Sequence, residues 1–192
     1  MSATVIGILS DSGGDLGAFE AAYGLLQAKG ATRYFFLGGQ FADLDGWVVS
    51  HRDQARGGWQ QDPSSLRDMF LRVPERGSPE YARPEVSTKV VDMLGDQLCC
   101  LVHDKNDLDR DDLLNASFFI HGKEPAPKVV QIGPRCFITP GSLAGASSPS
   151  CGLLEILDKE RLLRFSAFTL AGQQLLDVQE LSLDRRTKLS VK

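Results

Sequence analysis

Near its start the chain reads Thr4-Val-Ile-Gly-Ile-Leu-Ser-Asp11-Ser-Gly-Gly-Asp15. The apolar run over residues 4–9 includes β-branched side chains and is typical of a buried strand in a parallel sheet. The polar, glycine-rich residues after this run predict a tight turn. Asp15 has the residue type and the position of a helix N-cap. The stretch therefore predicts a buried strand that passes through a turn into a helix.

The helix after this turn is predicted from apolar residues that recur at helical spacing. Its apolar face comprises Phe19, Ala22, Tyr23 and Leu26. Gly30 is a typical helix stop signal, and residues 34–37 form a second apolar run that ends at Gly38-Gly39. A strand–helix–strand unit of this kind implies two parallel strands joined by a right-handed crossover.

The remaining sequence predicts further helices and then a series of strands. Leu66, Met69, Phe70 and Val73 fall on one helical face after a proline. Helices are predicted at 63–73, 86–94 and 108–116. Strands are predicted at 98–102, 117–121, 128–132, 136–139, 152–157, 162–169 and 175–183. An α/β first half followed by antiparallel strands favours two sheets with helices on their outer faces.

The order of these elements gives a prediction for the domain organisation. We expect one domain over residues 1–183, with a divergent segment at 41–95 and a polar tail at 184–192. One sheet is expected to contain mainly the strands at 4–9, 33–37, 98–102 and 117–121. The C-terminal hairpins are expected to form much of the other sheet.

Composition excludes several functional classes. With 192 residues, of which 42% are hydrophobic, the chain is long enough for one well-packed domain. Its net charge of −4 gives no electrostatic reason to bind nucleic acid or an anionic membrane. We expect no membrane span and no signal peptide. The cysteines, Cys99, Cys100, Cys136 and Cys151, all lie in apolar segments, which favours buried free thiols and a cytoplasmic location.

Two later segments add to the pattern set by the first. They read Phe118-Phe-Ile-His121-Gly-Lys-Glu-Pro125 and Phe137-Ile-Thr-Pro-Gly-Ser142. In order and spacing, the three segments resemble the calcineurin-like metallophosphoesterase superfamily, especially its small bacterial and archaeal phosphodiesterase branch. That family reads S-D-x-H-G-N, G-D, G-N-H/C-D, G-H-T-H and N-P-G-S in turn. The resemblance implies an α/β (α+β) fold, a two-sheet β-sandwich flanked by helices.

The motifs of the family can be carried over position by position. Asp11 matches the first aspartate, but Gly13 stands where the histidine of that motif belongs. Gly39 stands in place of the aspartate that bridges two metal ions in the family. The third motif is assigned to residues 103–106, where Lys105 falls at the proton-donor position. The fourth motif reads Gly-Lys-Glu-Pro over residues 122–125, so both of its histidines are absent.

The resemblance therefore implies a degenerate metal site. The family also carries a histidine between the third and fourth motifs, and residues 107–119 contain none, which suggests that this segment is deleted. A two-metal centre needs several anionic or imidazole ligands. We expect no catalytic residue, metal or other cofactor. The candidate vestigial pocket comprises Asp11, His103, Asp104, Lys105, His121 and Lys123, with either lysine able to neutralise a carboxylate. If a divalent metal such as Mn or Zn does bind, the candidate ligands are Asp11, Asp104 and His121.

Two functions from different classes remain open. The metal ligands are lost while the surrounding glycine and proline motifs are kept, which favours a catalytically inactive protein with a binding or scaffold role. The retromer subunit of this fold is a precedent, and the partner is expected to be another protein, with a small anionic ligand as the alternative. The alternative is a metal-dependent phosphodiesterase or phosphatase with a rebuilt or single-metal site. Because aromatic side chains often anchor interfaces, Trp47, Trp59 and Phe70 are candidate partner contacts. Local packing over the sheet edge is the alternative for these residues, and the oligomeric state stays open.

Overall fold

The computed structural model describes residues 4–54 and 63–184. Its helices are α1 (Leu16–Ala28), α2 (Phe41–Gln54), α3 (Pro63–Asp68) and α4 (Arg110–Asn115), with a short 3-10 helix at Lys105–Asp107. Its strands are β1 (Thr4–Leu9), β2 (Arg33–Leu37), β3 (Phe70–Val73), β4 (Lys89–Leu94), β5 (Gln97–Val102), β6 (Phe118–His121), β7 (Pro127–Ile132), β8 (Arg135–Pro140), β9 (Ser150–Leu157), β10 (Leu162–Thr169) and β11 (Gln179–Ser182). The predicted two-sheet sandwich flanked by helices is confirmed.

The first sheet has six strands in the order β11-β10-β9-β1-β2-β3. β1 lies near its centre, parallel to β2 and antiparallel to β9, with Ile6 opposite both Arg33 and Leu154. Ile6 and Ile8 are buried against the second sheet, whereas Leu9 is buried under the helices. Because both of its faces are covered, β1 is apolar at consecutive positions rather than at alternate ones.

The second sheet has five strands in the order β4-β5-β6-β8-β7. β5, β6 and β8 are parallel, and antiparallel hairpins add β4 at one edge and β7 at the other. The inner faces of both sheets form the main core, which includes Ile6, Phe35, Leu101, Ile120 and Leu154. Each sheet therefore combines parallel strands, whose carboxyl ends carry the loops of the candidate site, with antiparallel strands.

A second apolar cluster joins α1 and α2 to the outer face of the first sheet. It contains Phe19, Tyr23, Phe36 and Trp47 in close aromatic contact. The predicted N-cap is confirmed, because the Asp15 carboxylate accepts a hydrogen bond from the backbone N–H of Ala18 at 2.9 Å. The four cysteines are free and buried, as predicted. None of the helices in the described residues is long and apolar enough to cross a membrane.

The predicted division of strands between the sheets is wrong. β1 and β2 lie in the first sheet, but β5 and β6 pair with each other and with β8 in the second. The C-terminal hairpins are also divided, since β9, β10 and β11 extend the first sheet while β7 and β8 complete the second. Which strands pair depends on hydrogen bonds between distant segments, and local apolar patterns carry no information on that choice.

The predicted helix at 63–73 is only partly correct, and the predicted helix at 86–94 is wrong. α3 ends at Asp68, and the next residues form β3, which runs parallel to β2 with Phe70 beside Tyr34. Their rings stack at 4.9 Å. Residues 89–94 form β4, because Gly95 with a φ of 62° turns the chain back along β5. In both segments, pairing with a neighbouring strand overrides the helical spacing of the apolar residues.

Candidate functional site

The candidate site lies where five strand ends meet at one edge of the sandwich. The loop after β1 carries Asp11, the loop after β2 carries Gly39, and the loop after β3 carries Arg76. β5 ends just before His103 and Asp104, and Lys123 follows the end of β6. Hydrogen bonds connect four of these loops, as described below for each carboxylate. In α/β folds, this end of the strands is where ligand and catalytic sites form.

Asp11 is held by three neighbours. His103 is 3% exposed, and its Nε2 lies 2.7 Å from Oδ1 of Asp11. The backbone N–H of Arg76 donates to Nδ1 of the same ring at 3.1 Å, so Nε2 carries the proton and donates to the carboxylate. Oδ2 of Asp11 accepts from the Ser10 hydroxyl at 3.1 Å and from the backbone N–H of Lys123 at 2.9 Å. Both oxygens of Asp11 are therefore engaged.

Asp104 is the second carboxylate of the site and is 2% exposed. Its Oδ2 lies 2.5 Å from Nζ of Lys123 and 3.3 Å from Nη1 of Arg76. Its Oδ1 accepts from the backbone N–H of Asn106 at 2.9 Å. Burial opposes ionisation of Asp104, but these hydrogen bonds and the two cations keep the pKa of its carboxyl below the usual value. Asp104 is thus an ionised group with internal partners.

Arg76 links Asp104 to a third carboxylate. Its Nη2 lies 3.1 Å from Oδ1 of Asp107, which also accepts from the Tyr81 hydroxyl at 2.9 Å. The network therefore joins three carboxylates to two cations, Lys123 and Arg76. Arg76 and Asp107 are absent from the residues predicted for the site. No motif marks them, because the approach of Arg76 depends on β3, which the apolar pattern presents as part of a helix.

The glycines after β2 leave no room for a carboxylate. A Cβ at Gly39 would lie 2.0 Å from Oγ of Ser12 and 2.8 Å from Cζ of Phe36, and the φ of Gly39 is +104°. A Cβ at Gly38 would lie 2.4 Å from Cδ2 of His103. Ser12 itself is fixed by a 2.6 Å hydrogen bond from its hydroxyl to Asp43. The space of a bridging aspartate is thus filled by other side chains.

The strand order favours a different assignment of the third motif. Residues 103–106 follow β5, in the second sheet, whereas the strand beside β2 in the first sheet is β3. The loop directly after β3, at residues 74–76, is therefore the better match to a third motif that follows the second. His103 then occupies the place of the histidine expected between the third and fourth motifs. On this reading, the segment is present rather than deleted.

His121 and Lys105 lie apart from the network around Asp11. His121 is 5% exposed, and its Nδ1 donates to the backbone carbonyl of Gly122 at 2.9 Å. Burial lowers the pKa of His121, which favours the neutral ring. Lys105 pairs with Glu124 at 2.8 Å and so lowers the pKa of the Glu124 carboxyl. Of the predicted pocket, the structure brings together Asp11, His103, Asp104 and Lys123.

The donor groups of the site do not fit a metal ion. Among residues 4–54 and 63–184, no three histidine, cysteine, aspartate or glutamate side chains are grouped so as to hold one. The predicted ligand set of Asp11, Asp104 and His121 is divided, because Asp104 faces two cations and His121 bonds to a backbone carbonyl. A lysine ammonium at 2.5 Å from Asp104 also opposes a nearby dication.

The predicted aromatic contact surface is wrong for the two described residues. Trp47 is 1% exposed, packs on Phe19 and Tyr23, and donates from Nε1 to Glu20 at 2.5 Å. Phe70 is 6% exposed and stacks on Tyr34. Trp59 lies outside the described residues. Both described rings belong to the cluster under α1 and α2, because their strand and helix turn these side chains inward.

Comparisons with known proteins are consistent with this geometry. Neither protein-family models nor curated protein sequences give a match. Among solved structures, Yfce, a phosphoesterase from E. coli, matches with a TM-score of 0.62 and 18% identity over 94% of this chain and 100% of its own. Vacuolar protein sorting 29 (Vps29) from Cryptosporidium parvum matches with a TM-score of 0.60 and 15% identity over 95% of this chain and 100% of its own.

The chain has the calcineurin-like metallophosphoesterase fold. The fold is thus shared with a phosphoesterase and with Vps29, at identities that show the architecture alone. Vps29 from Chaetomium thermophilum in complex with a cyclic peptide also matches, with a TM-score of 0.50 and 12% identity over 95% of this chain and 98% of its own. Within this metallophosphoesterase fold, the site of the present chain is an internal network of ion pairs and hydrogen bonds.

Proposed function

We propose that the chain is a catalytically inactive metallophosphoesterase-like protein that acts as a binding or scaffold module for another protein. The observation that carries this proposal is the use of the site carboxylates by internal partners. Asp11 is bonded to His103, Ser10 and the Lys123 backbone, and Asp104 is paired with the Lys123 side chain. These oxygens are the ones that would otherwise bind metal.

Two-metal phosphoester hydrolysis requires a specific set of ligands. The ions activate a water molecule and hold the phosphate, and several anionic or imidazole groups must replace the hydration shells of two dications. In this chain, Ser12 and Phe36 fill the space that a side chain at position 39 would need, and a cation already pairs with Asp104. The proposed consequence is a network of internal ion pairs and hydrogen bonds in place of a reaction centre.

The proposed binding role draws support from the other proteins with this fold. One Vps29 structure holds a cyclic peptide, so a protein of this architecture can present a surface to a polypeptide. The present chain keeps the sandwich intact while the carboxylates of its site are hydrogen-bonded or paired internally. Binding by such a module does not depend on a metal ion, and this independence separates the proposal from the hydrolase alternative.

The proposed lack of hydrolysis is tested with generic substrates. The chain is incubated with bis-p-nitrophenyl phosphate and p-nitrophenyl phosphate in the presence of Mn²⁺ or Zn²⁺, with the Asp11→Asn variant as the matched control. We expect the release of nitrophenolate to equal that of buffer with metal, for both proteins. Metal-dependent turnover that Asp11→Asn abolishes would support the hydrolase and overturn the proposal.

The proposed binding role needs a separate experiment. The immobilised chain is exposed to an extract of its source cells with and without EDTA, and retained proteins are identified and then purified for a direct binding measurement. We expect a stoichiometric complex whose dissociation constant is unchanged by EDTA. A chain that retains nothing beyond an immobilised control protein, or whose complex dissociates in EDTA, would contradict the role proposed here.

A further inference from the structure

A groove crosses the outer face of the second sheet. It has a volume of about 390 Å³ and lies between α4, with the 3-10 helix that precedes it, and the edge strand β7. Leu108 and Leu113 form one wall, Val130 forms the other, and Phe137 lies on the floor. Its volume is in the range of sites that bind small molecules. The groove is separate from the ion-pair network around Asp11.

The floor of the groove is apolar because α4 covers only part of the sheet. α4 is six residues long and packs over β5 and β6. Phe137 stacks on Phe119 with 4.8 Å between ring centroids. Its side chain is only half-buried, because α4 does not cover it completely. Ile132, at the end of β7, is 58% exposed. An apolar ligand would therefore remove further apolar surface from water.

Polar groups line the groove at defined positions. His121 is 5% exposed, and its Nδ1 donates to the Gly122 carbonyl, so Nε2 is an acceptor at the groove. Lys105 and Glu124 pair at one end and neutralise each other. Lys128 is exposed on the rim and forms no ion pair with another described residue. Lys105, and more weakly Lys128, lower the pKa of the Glu124 carboxyl. With two lysines and one glutamate, the rim carries a net positive charge above an apolar floor.

We infer that this groove binds a small amphipathic carboxylate, with its apolar body against Leu108, Val130 and Phe137 and its carboxylate at Lys128. The charge at Lys128 complements an anion, and the floor complements a hydrocarbon or aromatic body of about ten carbon atoms, given the volume of the site. The inference is independent of the proposed protein-binding role.

The test uses 4-phenylbutyrate and its neutral analogue 4-phenylbutyramide as probes. Binding to the full chain is measured by titration calorimetry and by amide chemical shifts. We expect 4-phenylbutyrate to saturate a single site with a dissociation constant of about 1 mM or lower, and to shift the amides of Val130 and Thr139. The amide should bind about fivefold more weakly, because it lacks the charge that pairs with Lys128.

Two variants with matched controls locate the site. Lys128→Gln should remove the preference for the acid over the amide, whereas Lys159→Gln, on the exposed turn between β9 and β10, should retain it. Ile132→Asp should weaken 4-phenylbutyrate at least tenfold by adding a like charge beside the groove. Val91→Asp is its control, since Val91 is 57% exposed on the opposite edge of the same sheet.

Three results would overturn the inference. They are the absence of saturable binding at millimolar 4-phenylbutyrate, equal affinity for the acid and the amide, and equal loss of affinity in Ile132→Asp and Val91→Asp. Melting temperatures identify a variant that fails to fold. Lys128→Gln changes only an exposed side chain, so the acid-to-amide comparison remains decisive even if Ile132→Asp is unstable.

Discussion

At the scale of single residues, the site is defined by hydrogen bonds and ion pairs between its own groups. Asp11 accepts three hydrogen bonds, while Asp104 lies between Lys123 and Arg76. A buried carboxylate is stable only when its charge is paired or hydrogen-bonded. Here the protein supplies both kinds of partner. The network is therefore a structural feature whose loss affects stability.

Gly39 provides the first prediction. Gly39→Ala should destabilise the fold by about 2 kcal/mol or more, because the new Cβ meets Ser12 at 2.0 Å and the backbone has a φ of +104°. Gly133→Ala is the control, since its φ is +60° but no atom lies within 4 Å of the added Cβ. The free energy of unfolding of both variants is measured by urea denaturation. Equal losses for the two variants would show that the contact with Ser12 is unimportant.

Lys123 provides a prediction about pH. The pKa of Asp104 is lower in the folded state than the value of about 4 expected in the unfolded state. Its ion pair with Lys123 therefore contributes its full stabilisation above about pH 4. This stabilisation is lost as the pH falls through the folded-state pKa, where the carboxylate becomes protonated. Lys123→Met should therefore cost about 1 kcal/mol near neutral pH, since Lys123 is half-exposed, and almost nothing once the pH is below the folded-state pKa of Asp104. Urea unfolding across this range is the measurement.

Lys159→Met is the control for that measurement. Lys159 is an exposed lysine outside the site, so its replacement should leave stability nearly unchanged at every pH. A loss in Lys123→Met that stays constant from neutral to acid pH would contradict the assigned ion pair with Asp104.

At the scale of elements, α2 is a core helix rather than a binding surface. Trp47→Ala should reduce stability by about 3–5 kcal/mol, because its buried indole packs between Phe19 and Tyr23. Val49→Ala in the same helix is the control, and should change stability by less than about 0.5 kcal/mol, since Val49 is 57% exposed. The melting temperatures of Trp47→Ala and Val49→Ala distinguish a core residue from a surface residue. A melting temperature for Trp47→Ala close to that of the wild type would restore the surface interpretation.

The elements differ in how far the sequence predicts them. β1, α1 and β2 are predictable because their signals are local: an apolar run, the N-cap Asp15 and a helical apolar face. β3 is not, since Leu66, Met69, Phe70 and Val73 have helical spacing although Phe70–Val73 pairs with β2. The role of Arg76 could not be predicted either, because its position depends on β3. The sequence alone shows a glycine and a lysine at positions 39 and 123, where the resemblance implies metal ligands. The partners of Asp11 and Asp104 could not be predicted, because they depend on contacts between residues distant in the sequence.

At the scale of the whole molecule, the two sheets pack through a core that lies outside the network around Asp11 and Asp104. The main core between the sheets includes Ile6, Phe35, Ile120 and Leu154, and none of these residues belongs to the network. Fold and site chemistry are therefore separable. Stability of the sandwich is expected to be independent of divalent cations, whereas a two-metal protein gains stability on binding them.

The most direct test of the central claim is the metal stoichiometry of the chain. The protein is purified without chelator after expression with added manganese, analysed for metal content, and then titrated with Mn²⁺ and Zn²⁺ by calorimetry, with Asp11→Asn alongside. We predict that the purified chain carries substantially less than one metal per molecule and shows no saturable binding that Asp11→Asn removes. About two metals per chain, lost in that variant, would show a working dinuclear centre and contradict the account.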